Sequence, residues 1–180
     1  MNPFMKHEKG SGALPALFIV TILITVASCI YWSCHSSGTS SAKSLKSMDA
    51  PFFTLKDIQG EEFSSSQLMG KPAVLNFFAT WCPSCREEIP GFVDVYEKYR
   101  SGFELIGIAL DSDPQVLPPF IARQKIQYKI LVGNLDVVRL YGGFQTIPTT
   151  FFIGKDGKIK NVLIGYISNE VFEREVLKLL

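Results

Sequence analysis

A short apolar run that ends in two closely spaced cysteines is the feature that most limits how this chain can fold. Residues 73–79 (A-V-L-N-F-F-A) predict a buried strand, and W-C-P-S-C follows at 81–85. A helix that begins here would place Cys82 at its N-cap and Pro83 at its first position, where a missing N–H costs little. The positive helix end would lower the pKa of the Cys82 thiol and make it a nucleophile. The pattern therefore predicts a strand–turn–helix unit with a redox-active pair.

Half of a zinc site is the alternative interpretation of a C-x-x-C pair. A four-cysteine zinc site needs a second pair, and the other cysteines, Cys29 and Cys34, lie in or beside a strongly apolar segment. The two histidines, His7 and His35, also precede the globular part of the sequence. We therefore favour redox chemistry and expect neither a metal nor a cofactor.

The beginning of the chain predicts a membrane segment. Residues 13–32 carry no charge and are long enough to cross about 30 Å of bilayer as a helix. They follow a short segment, 1–12, which contains Lys6 and Lys9, whereas the next lysine after the apolar run is Lys43. This distribution favours a cytoplasmic N-terminus and an extracytoplasmic C-terminal domain, where a dithiol pair would meet oxidising chemistry.

Cleavage of this segment is the alternative to a membrane anchor. Residues 26–29 (V-A-S-C) resemble the lipobox of bacterial lipoproteins, in which Cys29 would carry the lipid. Tyr31 and Trp32 favour an intact spanning helix, because aromatic residues mark the membrane interface. A secretory peptide that releases the protein is a third option. The segment that follows, 33–49, holds seven serines and predicts a flexible linker.

Residues 50–180 predict a single α/β domain. Strands and helices alternate along it, and a net charge of +1 with no basic stripe argues against nucleic-acid binding. The predicted elements are a hairpin over 52–63, a helical turn at 64–68, strands at 73–79, 103–110, 129–132, 149–153 and 159–164, and helices at 83–99 (with a kink at Pro90), 116–125, 135–141 and 171–180.

These motifs resemble the thioredoxin fold and, more narrowly, the membrane-anchored TlpA/ResA-type thiol–disulfide oxidoreductases. The resemblance covers residues 49–180 and rests on W-C-P-S-C-R-E-E-I-P at 81–90, I-P-T at 147–149 and the Asp-Gly hairpin turn at 156–157. It implies a central mixed sheet flanked by helices, an N-terminal hairpin extension and a TlpA-type insertion at 111–132, all preceded by one transmembrane or signal segment.

The same resemblance implies roles for the site residues. Cys82 would attack the substrate, Cys85 would resolve the intermediate, and the two would form a disulfide when oxidised. Pro148 would be a cis-proline that faces them. The residues expected to contact a protein substrate are Trp81, Pro83, Ile147 and Pro148.

Asn76 departs from ordinary thioredoxins, which carry a buried aspartate six residues before the first cysteine. Another base must then deprotonate Cys85. Glu88 lies three residues after Cys85 on the same helix face, and it coincides with an acidic residue that the ResA-like branch places near its active site. We predict that Glu88 is this base; the alternative is a solvated carboxylate like its neighbour Glu87.

The resemblance implies a reductant of substrate protein disulfides on the extracytoplasmic side. Its substrates would be proteins with thiols or disulfides, apocytochrome c among them, and its electrons would come from a transmembrane donor of the CcdA/DsbD type. The sequence leaves the direction of electron flow open, so disulfide formation or isomerisation is the alternative function.

Three other classes fit less well. Peroxiredoxins need Thr or Ser three residues before their cysteine and Pro four before that, but Ala79 and Leu75 occupy these positions. Sco-type copper-binding modules use C-x-x-x-C with a distant histidine, whereas this chain has C-x-x-C and no histidine after His35. A partner-binding domain with a structural disulfide would keep its function after Cys82→Ser.

Overall fold

The computed structural model of the protein describes residues 43–180. The predicted segments 1–12 and 13–32, with Cys29, lie outside the described residues, as does most of the predicted linker. Among residues 43–180, no helix combines the length and the apolar character needed to cross a membrane.

Strands and helices alternate in the described chain. The strands are β1 (Thr54–Asp57), β2 (Glu62–Ser64), β3 (Ala73–Phe78), β4 (Glu104–Ala109), β5 (Lys129–Val132), β6 (Thr149–Ile153) and β7 (Ile159–Ile164). The α-helices are α1 (Pro83–Tyr99), α2 (Leu117–Gln124), α3 (Leu135–Leu140) and α4 (Asn169–Leu177), and short 3₁₀ turns lie at Lys43–Leu45, Ser65–Leu68 and Pro114–Val116.

The strands form one seven-stranded sheet in the order β2-β1-β5-β4-β3-β6-β7. The central strands β3, β4 and β5 are parallel, and the remaining pairs are antiparallel. The predicted mixed sheet with flanking helices, including the N-terminal hairpin β1–β2, is therefore confirmed. Since β3 and β4 pair in register from Ala73–Glu104 to Phe78–Ala109, both end at the same edge of the sheet.

Strand β3 is buried on both faces, which explains its unbroken apolar run. Val74 and Phe78 face a core formed with α1, α2 and α4, whereas Leu75 and Phe77 face a second core under the N-terminal hairpin and α3. These side chains are at most 1% exposed, and each contributes roughly 1.5–3 kcal/mol by leaving water. The centre of the sheet is thus a rigid base for the segment that follows β3.

Helix α1 packs against α4 through its apolar stripe. The ring of Phe92 in α1 stacks on Phe172 in α4 with centroids 3.8 Å apart, and α1 continues through Pro90 to Tyr99. Helix α4 begins two residues earlier than predicted, because the Ser168 side chain accepts a hydrogen bond from the Val171 N–H and caps it.

The end of the predicted linker belongs to the domain. Ser47 donates its N–H to the Ile159 carbonyl (2.7 Å), Ile159 donates back to the Met48 carbonyl (2.9 Å), and Ala50 donates to Gly157 (2.8 Å). Residues 47–49 are therefore fixed along the outer edge of β7, and the domain begins earlier than the boundary at residue 50 that we expected. The high serine content of 33–49 predicted a flexible linker. Composition carries no information on backbone hydrogen bonding to a strand edge, so it could not show that residues 47–49 belong to the domain.

Candidate active site

The two cysteines lie where β3 gives way to α1. Cys82 is the N-cap of the helix, with extended backbone angles (φ −80°, ψ 117°), and its sulfur accepts a hydrogen bond from the Cys85 N–H at 3.3 Å. Pro83 occupies the first turn, as predicted. The Cys82–Cys85 disulfide is present, with Cα atoms 5.3 Å apart. The strand–turn–helix unit and the cysteine pairing are thus confirmed.

The two cysteines differ slightly in their access to solvent. Cys82 is 4% exposed and Cys85 is fully buried at 0%. A protein disulfide can therefore approach Cys82 but not Cys85. The helix N-terminus favours a negative charge on the same sulfur. Both observations support Cys82 as the attacking residue and Cys85 as the resolving one.

A proline loop faces the cysteines from the start of β6. The Ile147–Pro148 peptide bond is cis, as the resemblance implied, and the Ile147 carbonyl oxygen lies 3.9 Å from Cys82 Sγ. Trp81 and Pro83 are exposed beside Cys82, and Trp81 retains 66% of its accessible surface. The structure thus brings the four predicted substrate-contact residues around the sulfur, and their contacts with a substrate remain predictions.

Glu88 is a buried carboxyl group one helical turn after Cys85. It is 2% exposed, whereas its neighbour Glu87 is exposed, so the alternative of a solvated carboxylate is wrong. Burial raises the pKa of Glu88 to about 8, against the opposing effect of two hydrogen bonds. These bonds come from Asn76 Nδ2 (2.9 Å) and the Ile167 N–H (3.2 Å). A base with this pKa is well matched to a thiol.

Asn76 links Glu88 to the strand beside the proline loop. Its Nδ2 also donates to Thr150 Oγ1 at 3.0 Å, and the residue is completely buried. The sequence separately indicated Asn76 and Glu88, but not their contact or the part played by Thr150. An asparagine within an apolar strand was the only sequence feature that pointed to a buried polar partner.

Asp111 is a site neighbour that the sequence reasoning missed. It had appeared only as the start of the predicted insertion, yet its carboxylate accepts hydrogen bonds from the Thr80 N–H and hydroxyl, two residues before Cys82.

The buried carboxyl makes stability depend on pH. Between an unfolded pKa of about 4.3 and a folded pKa of about 8, the folded chain keeps a proton on Glu88 that the unfolded chain releases. Its stabilising contribution is complete below the lower value and is lost as pH rises to the upper one. We expect the unfolding free energy of the wild type, relative to Glu88→Gln, to fall by up to about 1.4 kcal/mol per pH unit between pH 5 and 8. Urea unfolding at several pH values measures this, and parallel profiles for the two proteins would contradict it.

Ser84, between the two cysteines, is expected to affect the reduction potential of the pair. Ser84 Oγ lies 3.4 Å from Cys82 Sγ, so in the reduced protein its hydroxyl can donate to the thiolate. Ser84→Ala removes this stabilisation of the reduced form. We expect the reduction potential to fall by about 10–20 mV, taking such a bond as about 0.5–1 kcal/mol. Equilibration with a thiol buffer measures the change; Ser84→Thr, which keeps a hydroxyl, is the control, and an increase in Ser84→Ala would rule out this role.

Comparison with known proteins agrees with this geometry. The sequence pattern of the AhpC/TSA family matches residues 47–162, more than half of the chain. The thiol-disulfide oxidoreductase ResA of Bacillus thuringiensis (strain Al Hakam) is 27% identical over 165 residues, which cover 91% of this chain and 95% of that protein. ResA of Geobacillus thermodenitrificans (strain NG80-2) is 32% identical over 122 residues, or 67% of this chain and 70% of that protein.

A solved structure is similar over the same region. The crystal structure of a thiol:disulfide interchange protein of the thioredoxin family from Chlorobium tepidum TLS superposes with a TM-score of 0.69 at 34% identity. It covers 74% of this chain and 97% of its own. The similarity extends over the whole domain and is not limited to the cysteine motif.

Proposed function

We propose that this chain, which belongs to the AhpC/TSA family and is a thiol–disulfide oxidoreductase of the TlpA/ResA type, reduces disulfides of protein substrates on the extracytoplasmic side of a membrane. Membership of this family does not imply peroxide chemistry here, because Ala79 and Leu75 replace the residues that a peroxiredoxin needs. The substrates are proteins that carry thiols or disulfides.

Attack by Cys82 is the first step of the proposed reaction. In the reduced enzyme the Cys82 thiolate attacks one sulfur of a substrate disulfide. A bond forms between the two sulfurs, the substrate disulfide breaks, and the other substrate sulfur leaves as a thiolate that takes up a proton. The product is a mixed disulfide in which the substrate is bound to Cys82, the more accessible cysteine of the pair.

Resolution by Cys85 is the second step. The Cys85 thiol transfers its proton to the ionised Glu88 carboxylate, and the new thiolate attacks Cys82 Sγ. The mixed disulfide breaks, the substrate leaves as a dithiol, and the Cys82–Cys85 disulfide forms. Two electrons have then passed from enzyme to substrate, and a donor must supply two more before the next cycle.

The buried Glu88 is the observation that carries this proposal. A carboxyl with its pKa raised to about 8, one turn from a fully buried cysteine, supplies the base that the second step needs. It takes the place of the aspartate that ordinary thioredoxins carry at the position of Asn76. A cysteine pair that served only as a structural disulfide would gain nothing from a costly buried carboxyl.

The proposal also specifies where the protein acts, which electron donor reduces it and which substrate it serves. The apolar segment 13–32 supports a membrane anchor, with lipidation at Cys29 or cleavage as the alternatives. A reductant outside the cytoplasm needs electrons carried across the membrane. We therefore propose a transmembrane donor of the CcdA/DsbD type, with apocytochrome c as a substrate.

The reduction potential of the cysteine pair tests the direction. The full-length chain in detergent is equilibrated with a thiol buffer, and the reduced fraction is quantified. A value near or below about −270 mV supports a reductant that needs an electron donor. A value of about −120 mV would make the protein an oxidant that forms disulfides in its substrates. That result would exclude the proposed electron donor and apocytochrome c as a substrate.

A further inference from the structure

The active site lies at the carboxyl ends of two neighbouring parallel strands, β3 and β4. Strands β3 and β4 end opposite each other at Phe78 and Ala109, and Leu110 donates its N–H to the Phe78 carbonyl at 2.8 Å. Two residues beyond each strand end, Thr80 and Asp111 contact each other. The rigid central pair of strands therefore sets the distance between them.

Asp111 binds this segment through three contacts. The Thr80 N–H donates to its Oδ2 at 3.0 Å and to its Oδ1 at 3.2 Å, and the Thr80 hydroxyl donates to Oδ1 at 2.5 Å. Asp111 is only 9% exposed. Hydrogen bonds to a carboxylate are stronger than those between neutral groups, and shielding from water strengthens them further.

The residues that meet the substrate follow directly. Trp81 comes next and is largely exposed, so the backbone of this turn determines where its ring points. Cys82 follows, and its N–H closes the turn by donating to the Ala79 carbonyl at 3.1 Å. The hydrogen bonds between Thr80 and Asp111 therefore fix the turn between the end of β3 and Cys82.

We propose that Asp111 is a positioning residue of the exchange reaction: through Thr80 it fixes the turn that presents Trp81 and Cys82 to the substrate. This rests on the function proposed above, in which Cys82 is the attacking residue. Its hydrogen-bond partner Thr80 lies two residues before Cys82, so the proposal also includes an effect of the Asp111 negative charge, which opposes formation of the Cys82 thiolate. Asp111 thus determines both the orientation of the exposed Trp81 ring and the reactivity of the Cys82 thiol.

A role in folding alone is the competing explanation, because an aspartate that closes a turn can simply stabilise it. Three variants of the full-length protein separate the two. Asp111→Asn keeps the shape and one acceptor oxygen but removes the charge. Thr80→Val removes only the hydroxyl bond and leaves the carboxylate in place. Asp113→Asn is the matched control: it makes the same charge change two residues further on, at an exposed aspartate whose Oδ1 caps the Pro114–Val116 turn.

Two measurements are made on each protein. Steady-state reduction of insulin disulfides, with dithiothreitol as the electron source, gives kcat and KM. The rate of alkylation of the reduced enzyme by iodoacetamide as a function of pH gives the pKa of the accessible Cys82 thiol. Neither readout responds to a change in stability as long as the protein remains folded at the assay temperature, which circular dichroism verifies.

We expect Asp111→Asn to raise KM about fivefold or more with a change in kcat below about twofold, and to lower the pKa of the Cys82 thiol, because a nearby negative charge is removed. Thr80→Val should raise KM without changing that pKa, and Thr80→Ser should restore KM. The control Asp113→Asn should match the wild type. If Asp111→Asn behaves like Asp113→Asn in both measurements, the positioning role is wrong. If Asp111→Asn does not fold, a wild-type KM in Thr80→Val overturns it. A wild type that fails to reduce insulin would instead count against the proposed function itself.

Discussion

Replacement of Cys82 with serine will abolish disulfide reduction, with a loss of at least about 10³-fold in kcat/KM, whereas Cys85→Ser will trap the substrate as a covalent adduct. The physical reason is the difference in exposure between the two cysteine residues. A substrate disulfide can reach Cys82 at the helix N-terminus, and among the cysteines of residues 43–180 the buried Cys85 is the one that can displace it afterwards. Without Cys85, no other thiol of the domain described by the structure, residues 43–180, can break the mixed disulfide.

Mass spectrometry under non-reducing conditions measures the adduct after incubation with a disulfide-bonded protein. The expected adduct is one substrate molecule per enzyme in Cys85→Ser and none in Cys82→Ser. Both variants are compared with the reduced wild type in urea unfolding, since neither can form the Cys82–Cys85 bond. An adduct on Cys85 in Cys82→Ser would reverse the assignment, and full activity in Cys82→Ser would leave the disulfide with a structural role.

Glu88→Gln will slow turnover by about 10²-fold or more near neutral pH, because the buried Cys85 loses the base that accepts its proton. Only ionised Glu88 can act in this way. With the pKa raised to about 8, the wild-type rate should rise with pH through this region. In Glu88→Gln the rise near pH 8 should disappear, and the rate should increase only where the Cys85 thiol ionises without help.

Glu87→Gln is the matched control for this experiment. Glu87 lies next in the chain and is exposed, so its replacement makes the same chemical change without touching the buried carboxyl. Single-turnover decay of the mixed disulfide, followed between pH 6 and 10, isolates the second step. Equal profiles for Glu87→Gln and Glu88→Gln would show that another group accepts the proton of Cys85.

Periodicity and local spacing were sufficient to predict most of the fold. The apolar runs around Leu75 and Ile106 are strands because they are buried on both faces, and the C-x-x-C spacing with Pro83 determined the start of α1. The cis bond at Pro148 was different. The residues alone favour a trans proline, and only the family resemblance suggested the bond that the structure shows.

Contacts between distant residues were beyond sequence reasoning. The Ile167 N–H that binds Glu88 lies 79 residues further along the chain, and Asp111 lies 31 residues from Thr80. No local pattern relates such pairs, because they meet only after the sheet is assembled. The spacing placed Glu88 on the same helix face as Cys85, unlike Glu87, but it could not show that the carboxyl is buried, because this depends on the packing of α1 onto Asn76 in β3.

The segment at residues 47–49 has a further consequence, for association between copies of the protein. An edge strand with free N–H and carbonyl groups is a template for edge-to-edge aggregation, and β7 is one of the two edges of this sheet. Residues 47–49 occupy the hydrogen-bonding groups at its beginning, while the opposite edge, β2, is only three residues long. A fragment cut at residue 50 would remove this cover and expose the start of β7, so soluble versions of the domain should begin at residue 43 or earlier.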